Sequence, residues 1–277
     1  MIGHSDFLRR RRVRLLLALV VLLVLTAAGA PWIAPYDPNL VMLDDRFLPP
    51  GPEHWLGTDH LGRDVLSRLI WGARVSVGAL LCILGLIIAI GTPLGCLAAF
   101  AGGRTDNGIM RLCDMFMTFP TFILALFLIG VLGTGLTNVI LAVVLTHWAW
   151  YTRMVRSIVL TLKHREYLLA ARVAGTPCWR IVRDHALPTV LAQLLVLASL
   201  DIGHMLLHVS ALSFLGLGVT PPTPEWGVMM SDARQYIRTQ PQLIFYPGAM
   251  IFLTVMLFNI LGDSLRDALD PTLRESA

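Results

Sequence analysis

Asp201, His204 and His208 are side chains of the types that bind metal ions, and they stand three and four residues apart. At about 100° per residue, an α-helix would bring all three within roughly 60° of arc, on one face. One carboxylate with two imidazoles suits Ni, Zn, Cu or Fe. The spacing of His204 and His208 is common for two imidazoles reaching one ion. The same residues would serve equally well as a structural clasp, hydrogen-bonding one helix to another. Asp201 is the only charged residue between Leu187 and Leu212. If that stretch crosses a membrane, a carboxylate near its centre costs roughly 2.5–3.5 kcal/mol and needs a polar partner or water. Two or three such ligands, completed by water, would hold an ion only weakly and do not make a closed cage. No resident metal is therefore firmly assigned. Met205, at i+4 from Asp201, is a packing residue in this reading. His147 beside Trp148 is a weaker candidate, and a packed, hydrogen-bonded histidine is its plainer reading.

Other spacings exclude chemistry. Cys82, Cys96, Cys113 and Cys178 form no C-x-x-C pair and support neither a disulfide framework nor a zinc ribbon. Within His54–Asp64 the glycines and acids look superficially like a phosphate or calcium loop, but lysine is missing and the alternating acids of an EF-hand are absent. A turn-rich segment leading into a helix explains that stretch.

The elements that must position these residues are apolar. Of 277 residues, 56% are hydrophobic and 14% charged, with a mean hydropathy of +0.69. Soluble domains carry about 25% charged residues, so an integral membrane protein is expected. Charge-free stretches long enough to cross hydrocarbon give six spans. They lie around Leu15–Ala34, around Ser76–Phe100, in a hairpin between Asp114 and Arg153 broken at Gly133-Thr134-Gly135 with Pro120 near its start, at Leu187–Leu212 and at Gln240–Gly262.

Arginines collect in the leader (Arg9, Arg10, Arg11, Arg12, Arg14) and between spans four and five (Arg153, Arg156, Lys163, Arg165, Arg172, Arg180, Arg183). By the positive-inside rule both segments and both termini are cytoplasmic. The net charge of +4 is accounted for by that placement and gives no support for a nucleic-acid partner. Ala28-Gly29-Ala30 after an apolar stretch also has the look of a signal-peptide cleavage site. The stretch is longer than a usual signal core, and its removal would leave an odd number of spans, so a retained anchor is expected. The organisation is a cytoplasmic basic leader, 1–14, and a single transmembrane domain, 15–277. The latter has outer loops at 35–74 and 214–240 and a cytoplasmic loop at 153–187.

In that cytoplasmic loop, KHREYLLAARVAGTPCWRIVRDHALP (Lys163–Pro188) predicts a helix from Arg165 to Ala174 with Gly175 as a left-handed C-cap. Thr176 and Pro177 then start a second short helix, and Pro188 opens the fifth span. Tyr167, Leu168, Ala171 and Ala174 are the expected exposed apolar side. A basic loop that merely fixes topology is the plain reading, and a docking element for a cytoplasmic partner is the sharper one. Ala170-Ala171, three residues, Gly175, nine residues and His185-x-Leu187-Pro188 decide between them. This pattern resembles the EAA loop of ABC importer permeases, whose coupling helix sits in a cleft of the ATPase subunit. The usual pattern has Glu directly before the Ala pair and Ile where His185 stands. Glu166 lies earlier here, which is similar to the dipeptide/oligopeptide/nickel branch.

Two outer stretches are similar to signatures of the same branch. One runs Leu56-Gly57-Thr58-Asp59-His60-Leu61-Gly62-Arg63-Asp64 and on through Ser67, Arg68, Gly72, Arg74 and Ser76. The other comprises Ser213–Gly218 and Pro221-Pro222-Thr223-Pro224-Glu225-Trp226-Gly227. The resemblance covers most of the chain from about Pro35 to Pro271. Thr146–Tyr151, Leu200–Val209, Ser231–Ile237 and Asp114–Thr121 are most similar to the nickel-importing members of that branch. The peptide-importing pattern lacks the Asp201/His204/His208 face.

The resemblance implies an all-α, six-span permease of the type I ABC importer fold in a bacterial inner membrane. Its implied partners are a second, related permease, two ATP-binding cassette ATPases and an extracytoplasmic substrate-binding protein received by the outer loops. Glu166, Ala170, Ala171, Gly175, Leu187 and Pro188 would form the coupling element. Asp201, His204, His208 and His147 would line the substrate path. The chain has no G-x-x-x-x-G-K-[ST] sequence and Lys163 is its only lysine, so ATP would be bound and hydrolysed by partner subunits, with no cofactor here. Nickel, free or chelated, is the implied cargo, with di- or oligopeptides and a metallophore-bound metal as alternatives. A membrane metalloenzyme would need several histidine boxes, and only His204-x-x-x-His208 is present. A proton-driven carrier using Asp201 would leave the EAA-like loop without a purpose.

Overall fold

The computed structural model describes residues 4–269, with the side chains of residues 11–171, 173–177 and 179–268. The side chains of Arg9, Arg10, Arg172 and Cys178, and all of Pro271, lie outside the described residues. Among the described residues there is no strand, only an isolated bridge between Thr58 and Asp64. The helices are α1 (His4–Ala28), α2 (Ala30–Ile33), α3 (Val65–Ala101), α4 (Gly103–Thr118), α5 (Thr121–Leu132), α6 (Leu136–Lys163), α7 (Glu166–Val173), α8 (Cys178–Ile181), α9 (Leu187–Phe214), α10 (Trp226–Ala233) and α11 (Gln242–Leu269). A π-helical turn at Val182–Ala186 joins α8 to α9, giving one helical run from Trp179 to Phe214.

Among the described residues, three helical runs are long and apolar enough to cross a membrane: Val65–Ala101, Trp179–Phe214 and Gln242–Ala268. The third predicted span differs from expectation. At 12 residues, α5 is only about 18 Å long, short of roughly 30 Å of hydrocarbon. It reaches spanning length only together with α4, from which it bends by 88°. Phe119-Pro120 lies at the bend, where proline drives the preceding residue into extended backbone and ends α4.

Contacts divide the chain into two compact units. The first comprises the residues up to Cys82, Ile129–Ile140 and those from Ser199 onward. Its core joins Ala27 of α1, Val65, Leu69, Ala73 and Val77 of α3, Leu206 of α9, and Trp226 and Met229 of α10 to Leu243 and Ile251 of α11. Trp226 is completely buried and donates from its indole N–H to the Leu69 carbonyl at 3.1 Å.

The second unit comprises Ile83–Leu128 and Leu141–Ala198. Here Cys113, Trp148 and Ala149 are packed by Leu94, Ile109, Met110 and Phe116. A Cβ on Gly95 would lie 2.6 Å from the Thr152 carbonyl oxygen. Only glycine allows α3 and α6 to approach so closely, as at small-residue helix crossings in membranes. Arg156 pairs with Asp106, and Arg153 with Asp114, tying α6 to α4. The lone lysine, Lys163, donates to the Ala99 carbonyl at 3.1 Å, one of the unsatisfied acceptors at the end of α3.

Candidate functional site

Asp201, His204 and His208 all lie on α9, as expected. Leu200 packs where Gly262 of α11 leaves room, and Gly203 faces Val255. Those contacts fix which side of α9 is covered. The Asp201 side chain is 15% exposed and His204 74% exposed, with Asp201 Oδ1 and His204 Nδ1 3.7 Å apart. The His208 Nδ1–H donates to the His204 carbonyl at 2.7 Å. In the neutral ring that bond leaves the lone pair on Nε2. The helix therefore brings Asp201 and His204 together and turns His208 partly toward its own backbone. Among the described residues, no three His, Cys, Asp or Glu side chains are grouped to hold a metal ion. His147 lies on α6, in the second unit. Its Nδ1–H donates to the Val143 carbonyl at 3.1 Å and lies 3.2 Å from Thr146 Oγ1.

In the loop between α6 and α9 Gly175 takes φ +79°, and the Thr176 N–H reaches back to the Ala171 carbonyl at 3.0 Å. Together they close α7 as a Schellman motif. Tyr167 and Ala174 are exposed as expected, but the other two residues of the expected apolar side are not. Leu168 is 1% exposed and Ala171 half-buried. The exposed apolar residues are Tyr167, Leu169, Val173 and Trp179, with Val173 90% exposed. With Leu168 turned inward, Leu169 and Val173 take its place on the exposed side of α7. Glu166, Ala170, Gly175 and Pro188 are also exposed, and Leu187 is half-buried. The helix of the fifth span begins before Pro188, through the π-helical turn.

Two stretches between the long helices, one before α3 and one after α9, form a buried ionic lattice. Asp59 accepts from the Leu61 and Arg63 N–H groups and from Arg63 Nε, the last at 2.7 Å. Arg63 also donates to Asp232 Oδ2 at 3.2 Å, and Arg68 donates to the Pro38 and Pro222 carbonyls. Asp64 caps α3 by accepting from the Ser67 N–H and Oγ–H, both at 2.7 Å, and it pairs with His54 at 2.9 Å. This cap explains why α3 starts at Val65, well before the predicted span. Burial pushes the His60 imidazole below its ordinary range, opposed by Asp59 and Asp232 and assisted by Arg63 and Arg68. Beside this lattice a cleft of about 1020 Å³ is lined by Tyr36, Asp37, Trp71 and Arg74 among others.

The Binding-protein-dependent transport system inner membrane component family matches residues 91–275, and the N-terminal TM domain of oligopeptide transport permease C matches residues 5–50. The chain belongs to this family of transport permeases. It is similar to the nickel transport system permease protein NikC of Escherichia coli (strain K12), 56% identical over 264 residues and 95% of each chain. It is also similar to the di/tripeptide transport system permease protein DppC of Pseudomonas aeruginosa (strain UCBPP-PA14), 42% identical over 94% of this chain and 88% of that one. The probable D,D-dipeptide transport system permease protein DdpC of Escherichia coli (strain K12) is 40% identical over 91% of this chain and 85% of its own. An inward-facing structure of the MetNI methionine ABC transporter shares the fold, with a TM-score of 0.61 and 19% identity over 74% of this chain and 97% of that chain.

The permease signatures thus have a physical content that spacing along the chain could not show. Arg63 and Asp232 are 169 residues apart in sequence. A run containing both Asp and Arg in an apolar chain signals buried pairing, but it does not name the partner.

Proposed function

We propose that this permease forms half of the path by which nickel, free or chelated, crosses a bacterial inner membrane. The observation that carries the proposal is a 74% exposed imidazole, His204, beside a mostly covered carboxylate, midway along a helix of 28 residues with no other Asp, Glu, Lys or Arg. An ionisable pair would be stranded if that face met lipid, so it faces water or a partner subunit. Greater similarity to NikC than to the peptide permeases supports the metal cargo.

In this reading six spans cross the membrane with both termini cytoplasmic, and a second related permease supplies the other half of the path. Two ATPase subunits bind and hydrolyse ATP. One of them holds α7 in a cleft, through Glu166, Ala170, Ala171 and Gly175 and the exposed Val173 and Trp179. Leu187 and Pro188, in the first turn of α9, continue that element into the helix that carries the polar face, so closure of the ATPases moves that face between inward and outward access. A substrate-binding protein docks on the exposed outer loops. Asp201, His204, His208 and, less directly, His147 offer passing nickel transient oxygen and nitrogen ligands that water completes.

Peptide permeases among the relatives favour di- or oligopeptides as the second reading. ATP-dependent uptake of radioactive nickel and of a labelled dipeptide by the same reconstituted complex separates the two. Nickel accumulation alone supports the first reading, and dipeptide accumulation alone overturns it.

A further inference from the structure

Glu225 is completely buried, yet its carboxylate has no cation within the hydrogen-bonded group that holds it. Oε1 accepts from Ser76 Oγ–H of α3 at 3.0 Å and from Ser210 Oγ–H of α9 at 3.3 Å. Oε2 accepts from the Val228 N–H at 3.0 Å and so caps α10. The next two residues complete the contact. Trp226 fits against Gly72, where a Cβ would lie 2.8 Å from the indole. A Cβ on Gly227 would lie 2.2 Å from the Ser210 carbonyl oxygen. The start of α10 is thus wedged between α3 and α9 with no space for adjustment. Ser210 is two residues beyond His208.

We infer that Glu225-Trp226-Gly227 is a pin making the outer loop and the outer ends of α3 and α9 a single body. Docking of a binding protein outside is thereby transmitted to the polar face of α9. Glu225 is a positioning residue and touches no cargo. A hydroxyl–carboxylate pin suits this task. It is directional, and its buried oxygens lose their partners if either helix slides, a loss that costs more than the bonds themselves contribute. The inference rests on the outer loops being the docking face.

The test uses the complete reconstituted complex, and ATPase activity is measured with and without binding protein. The variants are Ser210→Ala, Glu225→Gln and Glu225→Ala. Basal hydrolysis should persist in all three. Stimulation by binding protein should fall about fivefold or more in Glu225→Ala and less in Ser210→Ala. Glu225→Gln, which keeps an oxygen acceptor, should retain most of it. Full stimulation in an assembled Glu225→Ala complex overturns the pin. If that variant does not assemble, unchanged stimulation in Ser210→Ala does so. Basal and stimulated rates falling together in Ser210→Ala mean a general folding defect and also overturn it. A wild-type complex that binding protein fails to stimulate overturns the docking reading, and the pin with it.

Discussion

Arg63 donates to Asp232 at 3.2 Å across 169 residues of sequence, with its side chain 2% exposed. The segments before α3 and after α9 are thereby joined by a charge pair, with Arg63 shared between Asp59 of its own segment and Asp232 of the other. Arg63→Ala leaves Asp59 and Asp232 without their main donor, a change expected to cost about 3–5 kcal/mol. Asp232→Asn, at a position more open to water, should cost clearly less. Thermal unfolding of the purified protein in detergent gives the order, and an Arg63→Ala protein that melts with the wild type would contradict the lattice.

Gly62 and Gly108 should respond oppositely to alanine. Gly62 has φ +76°, and its Cβ would lie 1.7 Å from the Met42 carbonyl oxygen. Backbone strain alone is about 1–2 kcal/mol there, and the steric clash adds to it. Gly108 lies in α4 with nothing within 4 Å of its Cβ position, so alanine should stabilise by about 0.5–1 kcal/mol. Melting temperatures moving in opposite directions would bear this out.

His60 should make the segment before α3 less stable as pH falls. Its folded-state pKa lies below the ordinary value because burial disfavours the imidazolium. Between that lowered value and about 6.5 the unfolded chain binds more protons, so stability rises with pH. Melting curves from about pH 5 to about pH 7 should show this slope, reduced in His60→Gln. An unchanged slope in the variant would assign the effect to other groups.

Val173→Asp isolates the coupling surface. The side chain is 90% exposed, so an aspartate there should leave the permease fold and its melting temperature unchanged. Docking in an ATPase cleft would bury a charge, and the ATPase subunits should no longer co-purify. Retention of the ATPases at wild-type yield would place the coupling surface elsewhere.

Local chemistry was legible in the sequence. Gly175 ends α7 at φ +79°, and Gly133 and Gly135, at φ +89° and +132°, separate α5 from α6 as the hairpin break predicted. Long-range pairing was not legible. The arginines before Ser76 suggested loop, but α3 already runs through Arg68, whose Nη1 donates to the Pro38 and Pro222 carbonyls. Leu168 was expected outside, because α7 is too short for its periodicity to show which side packs. The three polar residues of α9 were found by spacing, whereas Glu225 was visible only as part of a signature. Its partners, Ser76 and Ser210, are 149 and 15 residues away.

The central claim is that the α9 face carries nickel. Its most direct test is ATP-dependent uptake of radioactive nickel by the reconstituted complex with its binding protein, comparing wild type with His204→Ala/His208→Ala. Basal ATPase activity reports assembly. The account predicts that the double variant hydrolyses ATP at the wild-type basal rate and accumulates little nickel. Wild-type nickel uptake by the double variant would contradict it.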